Sequence, residues 1–497
     1  MTDIRPDVLF GQAYFLRFDP KLWAARQPYA PLGTLYAAAA VRARGYTPAL
    51  FDAMLAQSES EWAVALDRHR PRFAVLYEDN FNYLSKMCLL RMRQAALVMV
   101  EAARVRGIPV AVAGSDASDH PDVYLAAGAG AVVVGEGEAT VCELLDAWSG
   151  RSARPLTQVP GLCWRSGEGR VVRTPTRDVT RDLDAMAPPA WDLVDIERYR
   201  RVWLRAHGYF SMNIATTRGC PYHCNWCAKP IYGQRYTARS PESVVDEIDA
   251  LSNRYRPDHL WIVDDIFGLK PGWIERFAEV TAARGVKVPF RCLLRADGVT
   301  PPITRALAAA GCRTAWIGAE SGSQRVLDAM EKGIQVEQIA EAARHLHAAG
   351  IEVGFFLQFG YPGETRDDIE QTLQMVRDCR PDDIGVSVSY PLPGTPFYER
   401  VKAQLGDKQH WTDSNDLAVM YPAAYTPEFY RTLHGLVHAE FRSRQGFSPY
   451  QALRTWILRR RVDRLAQRSV QTPRPIRLQP VLTRQAAAAP SEQSVLK

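Results

Sequence analysis

The chain has 497 residues, of which 47% are hydrophobic, 23% charged and 10% aromatic, and its formal net charge is +6. This size and composition fit about three domains of roughly 150 residues each and exclude wholesale disorder. The charge is too small for the length to indicate a nucleic-acid partner.

Targeting signals and cysteine usage indicate the compartment. No run of about 18 apolar residues occurs, so we expect no membrane-spanning helix and no membrane contact. The N-terminus MTDIRPDVLFGQAYF lacks the basic flank and long apolar stretch of a signal peptide. Of nine cysteines, three cluster at 220–227 and six are scattered singly. We therefore expect a cytoplasmic protein with one metal site rather than a disulfide framework.

Residues 1–148 alternate short apolar runs with segments of helical periodicity. Because this alternation is typical of a parallel, doubly wound sheet, we predict a Rossmann-like α/β domain with its ligand site at the carboxyl ends of the strands. The predicted strands are 7–10, 47–52, 73–77, 110–114 and 131–135, and the predicted helices are 33–45, 57–68 and 89–107.

A connector at 149–207 contains a predicted β-hairpin at 161–174. Six strand–helix units follow at 208–400, which predicts a partial (βα)6 TIM-type barrel with its site at the C-terminal face. The strands are placed at 211–217, 259–264, 289–294, 314–319, 352–359 and 384–390, and the helices at 241–255, 271–285, 301–310, 323–330, 336–349 and 366–379.

The remaining chain is divided into a helical segment at 401–468 and a tail at 469–497. The basic, amphipathic stretch 455–468 is interpreted as a helix that packs on the barrel with a solvated face. Contact of this stretch with a membrane surface or an acidic partner is the alternative. The tail is rich in Pro, Gln and Ala without periodicity, and it is predicted to be disordered.

The stretch TTRGCPYHCNWC places Cys220, Cys224 and Cys227 within eight residues. A structural zinc site needs a fourth ligand, and His223 is poorly placed to join the same tetrahedron because it is adjacent to Cys224. Three thiolates from one loop favour a [4Fe–4S] cluster with one iron open to another ligand. A structural metal site is the alternative.

The Cys-x3-Cys-x2-Cys motif at the end of a first barrel strand resembles the radical S-adenosylmethionine (SAM) superfamily. The resemblance implies that Cys220, Cys224 and Cys227 are both the metal ligands and the catalytic centre, and that SAM chelates the open iron. It further implies that an electron from the cluster cleaves SAM to a 5′-deoxyadenosyl radical. An electron donor such as flavodoxin or ferredoxin would then be a partner.

Further motifs follow the barrel strands and imply SAM contacts. Trp226 matches an aromatic position that meets the adenine, and Glu320 and Ser321 in WIGAESGS match positions that face SAM. Asp264 and Asp265 stand where relatives place residues near the SAM amino group, although relatives often have Gly-Gly-Glu there. Arg295 is predicted to contact a carboxylate or ribose, with a surface arginine as the alternative.

A doubly wound domain ahead of such a barrel resembles the cobalamin (B12)-binding branch of the superfamily, on the stretches 31–46, 114–115 and 132–140. The Asp-x-His-x-x-Gly motif that ligates cobalt in some cobalamin proteins is absent, since His120 has no glycine three residues later. We therefore expect no histidine below the cobalt. The implied cobalamin contacts are Gly33, Asn80, Tyr83, Gly114, Ser115, Gly135, Glu136, Gly137 and Glu138.

The resemblance implies a cobalamin-dependent radical SAM enzyme that transfers a methyl group to an unactivated carbon of a small molecule. Oxidative cyclisation or rearrangement, as in proteins similar to the anaerobic magnesium-protoporphyrin ester cyclases, is the alternative within this branch. An iron–sulfur electron carrier would require a fourth protein ligand. A first domain that binds substrate rather than cobalamin also stays open.

Overall fold

The computed structural model describes residues 5–82, 89–227, 231–445 and 448–468. Two sheets follow each other along the chain. The first has seven strands in the order β2-β1-β3-β4-β5-β6-β7, and β1 to β5 are parallel. The strands are β1 (Val8–Gly11), β2 (Pro48–Leu50), β3 (Phe73–Tyr77), β4 (Val110–Ala113), β5 (Ala131–Val133), β6 (Leu162–Arg165) and β7 (Val171–Arg173).

Helices cover both faces of this sheet, because the strands are apolar on both sides. Leu9 and Val112 belong to one buried core, and Val8 and Val133 belong to the core on the opposite face. The Rossmann-like prediction is thus confirmed. The helices are α1 (Pro20–Ala25), α2 (Leu32–Ala43), α3 (Ser60–His69), α4 (Leu90–Arg104), α5 (Ser115–Asp119), α6 (Pro121–Ala126) and α7 (Glu138–Ser149).

The connector is shared between the two halves of the molecule. The predicted hairpin forms as β6 and β7, and β6 pairs antiparallel with β5, so the hairpin extends the first sheet. The chain then enters α8 (Ile196–His207). Trp203 of α8 is fully buried and donates from Nε1 to the carbonyl oxygen of Pro28 at 2.7 Å, which fastens the connector to the first domain.

The second sheet has six parallel strands in the order β15-β14-β13-β12-β11-β8. Its outer strands, β8 and β15, do not pair with each other in the described ranges, so the barrel is open, as predicted for a partial barrel. The strands are β8 (Ser211–Ile214), β11 (His259–Ile262), β12 (Phe290–Leu294), β13 (Cys312–Glu320), β14 (Glu352–Phe359) and β15 (Asp383–Val388), with a short antiparallel pair β9 (Thr217–Arg218) and β10 (Thr237–Ala238) between β8 and β11.

Local sequence signals set where the barrel helices begin. Ser240 accepts a hydrogen bond from the backbone N–H of Ser243 at 3.2 Å, and Pro241 fills the first helical position. Thr365 and Asp368 form a capping box. The helices are α9 (Pro241–Tyr255), α10 (Trp273–Arg284), α11 (Pro301–Ala310), α12 (Gln324–Ala329), α13 (Val336–Ala348) and α14 (Arg366–Cys379).

After the barrel the chain forms α15 (Pro396–Val401), α16 (Pro427–Gln445) and α17 (Pro449–Arg468). Before α16 it returns to the first domain, where the N–H of Leu90 donates to the carbonyl of Trp411 at 2.8 Å. The Ser414 hydroxyl donates to Asp19 at 2.5 Å. The predicted tail lies outside the described residues. Of the helices that the structure describes, none combines the length and the hydropathy needed to cross a bilayer.

Candidate functional site

The cysteine loop leaves the short strand β9 at the C-terminal face of the half-barrel. Gly219 turns the chain with φ +77°, and a Cβ atom there would lie 2.1 Å from the carbonyl oxygen of Arg235. Only glycine satisfies both constraints. Cys220 is buried, and Cys224 and Cys227 are half-buried.

Asn225, between two of the cysteines, anchors this loop to the barrel. Its side chain donates to the carbonyl of Ala329 at 2.8 Å and accepts from the Tyr361 hydroxyl at 2.8 Å. Its backbone N–H and C=O bond to Met330 and Phe397, each at 3.0 Å. Asn225 is completely buried, so these bonds form away from water. Sequence reasoning did not single it out, although it lies inside the motif.

Trp226 packs against the small buried core that contains Val326, Met330 and Tyr361. Its indole Nε1 is buried and has no hydrogen-bond partner among the described residues. A buried donor without a partner is uncommon and is often met by a ligand. This placement is compatible with the predicted cofactor contact, which stays a prediction.

Asp264 holds the strand that leads to the cysteines. Its carboxylate accepts from the backbone N–H of Thr216 at 2.7 Å and of Thr217 at 3.0 Å, and from the Thr216 hydroxyl. Burial raises the pKa of Asp264 to about 6, although these hydrogen bonds oppose the rise. Asp265, the next residue, is exposed. Asp264 is therefore engaged within the protein.

Arg295 is buried at the end of β12 and is not a surface residue. Its guanidinium lies 3.8 Å from the ring centroid of Tyr222, which belongs to the cysteine loop. Its Nη2 atom donates to the carbonyls of Lys332 at 2.6 Å and Gly333 at 2.9 Å. The cation is thereby fixed beside the predicted cluster.

Glu320 ends β13 with φ +59°, a strained conformation for a non-glycine residue. Its carboxylate pairs with the Nζ atom of Lys332 at 3.0 Å, and both side chains are at most 10% exposed. Burial alone would lower the pKa of Lys332, but Glu320 and the nearby Cys224 raise it above its ordinary value. No motif marks Lys332 in the sequence. Ser321, also predicted, bonds to the Thr372 hydroxyl at 3.1 Å.

Arg218, two residues before Cys220, joins the cysteine loop to the first domain. Its Nη2 atom donates to Glu138 at 2.7 Å, and its Nη1 atom donates to Glu136. All three side chains are at most 8% exposed. Burial and the neighbouring Glu138 raise the pKa of Glu136, while Arg218 opposes the rise. The predicted cobalamin contacts Glu136 and Glu138 are thus bound to the barrel.

The carboxyl ends of β1, β3 and β4 form a second polar surface. Four buried oxygen atoms there have no hydrogen-bond partner among the described residues: Tyr14 Oη, Glu78 Oε2, Asn80 Oδ1 and Ser115 Oγ. Gly114 has φ +149°, and a Cβ atom there would lie 2.7 Å from Cβ of Glu78. Burial raises the pKa of Glu78 to about 8. Such unpaired atoms at the edge of a sheet indicate a ligand surface.

The other predicted cobalamin contacts surround this edge. The backbone N–H of Gly33 donates to Asp79 at 2.9 Å, that of Gly135 to Ser118 at 3.1 Å and that of Gly137 to Tyr77 at 3.3 Å. These three N–H groups are therefore engaged in the protein. Tyr83 lies outside the described residues.

Comparison with known proteins gives similarity in both halves of the chain. Residues 214–376 match the radical SAM superfamily. The chain is 30% identical over 271 residues to an uncharacterised methyltransferase of Pyrococcus horikoshii, covering 54% of this chain and 57% of that protein. It is 28% identical over 290 residues to the anaerobic magnesium-protoporphyrin IX monomethyl ester cyclase of Rubrivivax gelatinosus, covering 56% and 49%. These matches span about half the length of both relatives.

Among solved structures, the fold is similar to that of TsrM, a radical SAM methyltransferase from Kitasatospora setae with cobalamin and a [4Fe–4S] cluster bound. The TM-score is 0.65 and the identity 21%, and the match covers 80% of this chain and 74% of TsrM. At this identity the likeness establishes the shared arrangement of a Rossmann-like domain and a half-barrel.

Proposed function

Because residues 214–376 match the radical SAM superfamily and follow a Rossmann-like domain, we propose that this chain is a cobalamin-dependent radical SAM enzyme. Its proposed reaction is methyl transfer to an unactivated carbon of a small-molecule substrate. The observation that carries the proposal is the junction at Arg218. There the cysteine loop of the half-barrel is fastened to Glu136 and Glu138, at the carboxyl end of the first sheet.

The donor set fits an iron–sulfur cluster with one open position. Cys220, Cys224 and Cys227 supply three thiolates, and thiolates are the ligands that such clusters take. When bound, the cluster and SAM supply one-electron cleavage of SAM, and cobalamin supplies a methyl carrier. The chain's own contribution is to hold, orient and seal these groups.

The residues around the cysteines have positioning roles. Asn225 and Gly219 fix the shape of the loop, and Asp264 fixes the strand before it. Lys332 holds the Glu320 carboxylate in one orientation, which suits an acceptor for the SAM amino group. Arg295, held against Tyr222 and paired with Asp297 at 2.9 Å, is the proposed contact for a carboxylate or ribose.

The first domain fits an amide-rich ligand such as cobalamin. The unpaired oxygens of Asn80, Ser115 and Glu78 can accept from amide N–H groups, and the Tyr14 and Ser115 hydroxyls can donate to amide oxygens. Glycine at position 114 lets the Glu78 side chain keep its place at this edge, since a Cβ atom there would overlap it. We assign Glu136 and Glu138 to the domain junction, where they act through Arg218.

A second candidate is oxidative cyclisation or rearrangement without methyl transfer. The similarity to the magnesium-protoporphyrin ester cyclase favours it, since 28% identity extends over 290 residues. Either reaction requires a low-potential electron donor, for which a flavodoxin or ferredoxin is the proposed partner.

The test is an anaerobic reaction with the chain reconstituted with iron, sulfide and cobalamin. SAM and a strong reductant are added, and 5′-deoxyadenosine and S-adenosylhomocysteine are quantified by mass spectrometry. Both products, with the second requiring cobalamin, would support methyl transfer. Deoxyadenosine alone would favour the cyclase candidate. The absence of both products would overturn the radical SAM assignment.

Cysteine variants supply the matched controls. Cys220→Ala, Cys224→Ala and Cys227→Ala should each lose cluster iron and both products. Cys379→Ala removes a half-buried thiol at the end of α14 and should retain them. Equal loss in all four variants would show that the assay follows general stability rather than cluster ligation.

A further inference from the structure

Two histidines and a carboxylate meet where the chain returns to the first domain. Asp116 and His120 lie in and after α5, which follows β4, and His410 lies in the segment between α15 and α16. One ligand atom from each residue lies within 4.8 Å of the other two. The two imidazole rings are 5.6 Å apart between centroids and are inclined at 81°. From this cluster we infer a binding site for a divalent transition-metal ion such as Zn²⁺.

His120 and Asp116 retain coordination capacity. His120 Nε2 is buried and has no hydrogen-bond partner in the described part of the chain. Asp116 Oδ2 accepts from Arg93 Nε at 2.7 Å and from the Tyr124 hydroxyl at 2.5 Å. Asp116 Oδ1 accepts from Arg93 Nη2, so its second lone pair is available to a metal. Oδ1 is therefore the carboxylate oxygen of the site.

Two further carboxyl groups lie close enough to Asp116 to interact with it electrostatically. Asp116 lies within electrostatic range of Glu78 and of Asp119. The cations in range of Asp119 are Arg93 and Arg173. Three carboxyl groups and two guanidinium groups thus lie around the cluster, and a bound cation would interact favourably with the carboxyl groups in this partly buried region.

The donor set selects the class of metal. Two imidazoles and one carboxylate are ligands that Zn²⁺ binds at about 2.0–2.2 Å. Mg²⁺ and Ca²⁺ prefer oxygen ligands throughout. Ligands of a tetrahedral ion are separated by about 3.3 Å, so the three side chains must close slightly around it. His120 and His410 are on separate segments, which allows this adjustment.

A metal here would fasten the post-barrel segment to the first domain. The segment already contacts that domain just after His410: the N–H of Leu90 donates to the carbonyl of Trp411 at 2.8 Å, and Ser414 bonds to Asp19. Coordination would link residues that are about 290 positions apart in the chain through one metal ion. The site uses no residue of the cysteine loop, and Asp116 follows Ser115 of the proposed cobalamin surface.

The test measures zinc on the full chain with its iron–sulfur cluster reconstituted, so that the cluster cysteines are occupied. The protein is dialysed to equilibrium against micromolar ZnCl₂, and zinc and iron are determined by mass spectrometry. We expect one zinc per chain, an at least tenfold weaker zinc affinity in His120→Ala and His410→Ala, and no change in His347→Ala. Zinc binding by the two site variants equal to that of the wild type would overturn the inference.

Two further measurements separate the site from folding and from the cysteines. His120→Gln and His410→Gln should keep the iron content and circular dichroism of the wild type, yet lose the rise in melting temperature that zinc produces. The triple variant Cys220→Ala, Cys224→Ala, Cys227→Ala should retain the zinc. Loss of zinc from this triple variant would place the ion at the cysteines and overturn the inference.

Discussion

The guanidinium of Arg218 donates to the carboxylate of Glu138 across 2.7 Å, and both side chains are almost fully buried. One residue belongs to the half-barrel and the other begins a helix of the first domain, 80 positions earlier. A buried ion pair with such separation constrains the two domains to one relative orientation. The cysteine loop begins two residues after Arg218 and is therefore held in a fixed orientation relative to the first domain.

Arg218→Met is expected to destabilise the chain by about 3–5 kcal/mol, because it leaves two buried carboxylates without their cation. Differential scanning calorimetry and the iron content of the reconstituted protein would measure the effect. Arg276→Met removes a surface ion pair with Glu242 and should cost less than about 1 kcal/mol. Adding Glu136→Gln and Glu138→Gln to Arg218→Met should restore part of the stability. A cost for Arg218→Met no larger than that of the surface control would contradict this prediction.

Gly219→Ala is expected to prevent retention of the cluster, because its Cβ would overlap the backbone oxygen of Arg235. Gly208→Ala is the matched control, since Gly208 has φ +76° but open space where a Cβ would stand. The control should cost about 1–2 kcal/mol from backbone strain alone. The amount of iron per chain after desalting measures cluster retention. Equal iron in the two variants would contradict the prediction, because it would show that the backbone can shift to accommodate the Cβ atom.

Glu78 is expected to make the chain less stable as pH rises. Its pKa is about 8 in the folded chain because of burial, against 4.5 for an ordinary glutamate. Between these values the folded state holds a proton that the unfolded state releases, so raising the pH favours unfolding. Glu78→Gln should reduce the fall in melting temperature between about pH 5 and about pH 9. The exposed Glu101→Gln should leave the profile unchanged, and an identical profile for Glu78→Gln would refute the assignment.

Lys332→Met is expected to weaken SAM binding by about tenfold, which corresponds to about 1.4 kcal/mol. The reason is that Glu320, held in a strained conformation, loses the cation that orients it. Calorimetric titration of the cluster-loaded chain with SAM would measure the change, and Lys332→Arg should bind more tightly than Lys332→Met. Lys402→Met removes an exposed pair with Glu399 and should bind SAM normally. Unaltered binding by Lys332→Met would remove Glu320 from the proposed SAM contacts.

Periodicity in the sequence predicted most of the fold, because buried parallel strands and amphipathic helices leave local signals. The strand 352–359 and the helices 241–255, 301–310 and 366–379 have the predicted bounds. The hairpin at 161–174 was also predicted, but its pairing with β5 was not, since hydrogen bonding between distant strands has no local signature.

The cysteine loop could be found from spacing, whereas the residues that support it could not. Asn225 is an ordinary polar residue in the sequence, and its role depends on carbonyls about 100 positions away. Lys332 and Arg218 acquire their roles from carboxylates in other elements. The contact between Ser414 and Asp19 could not be predicted either, because its partners are distant in the sequence and the segment around Ser414 has no periodicity.

The contact between the segment around Ser414 and the first domain can form only late in synthesis. The bond between Asp19 and Ser414 closes a loop of 395 residues. The first domain leaves the ribosome long before its last contacts exist, and its edge beside α1 stays uncovered until the barrel has been made. The contact between Asp19 and Ser414 therefore forms only after the whole barrel has been translated.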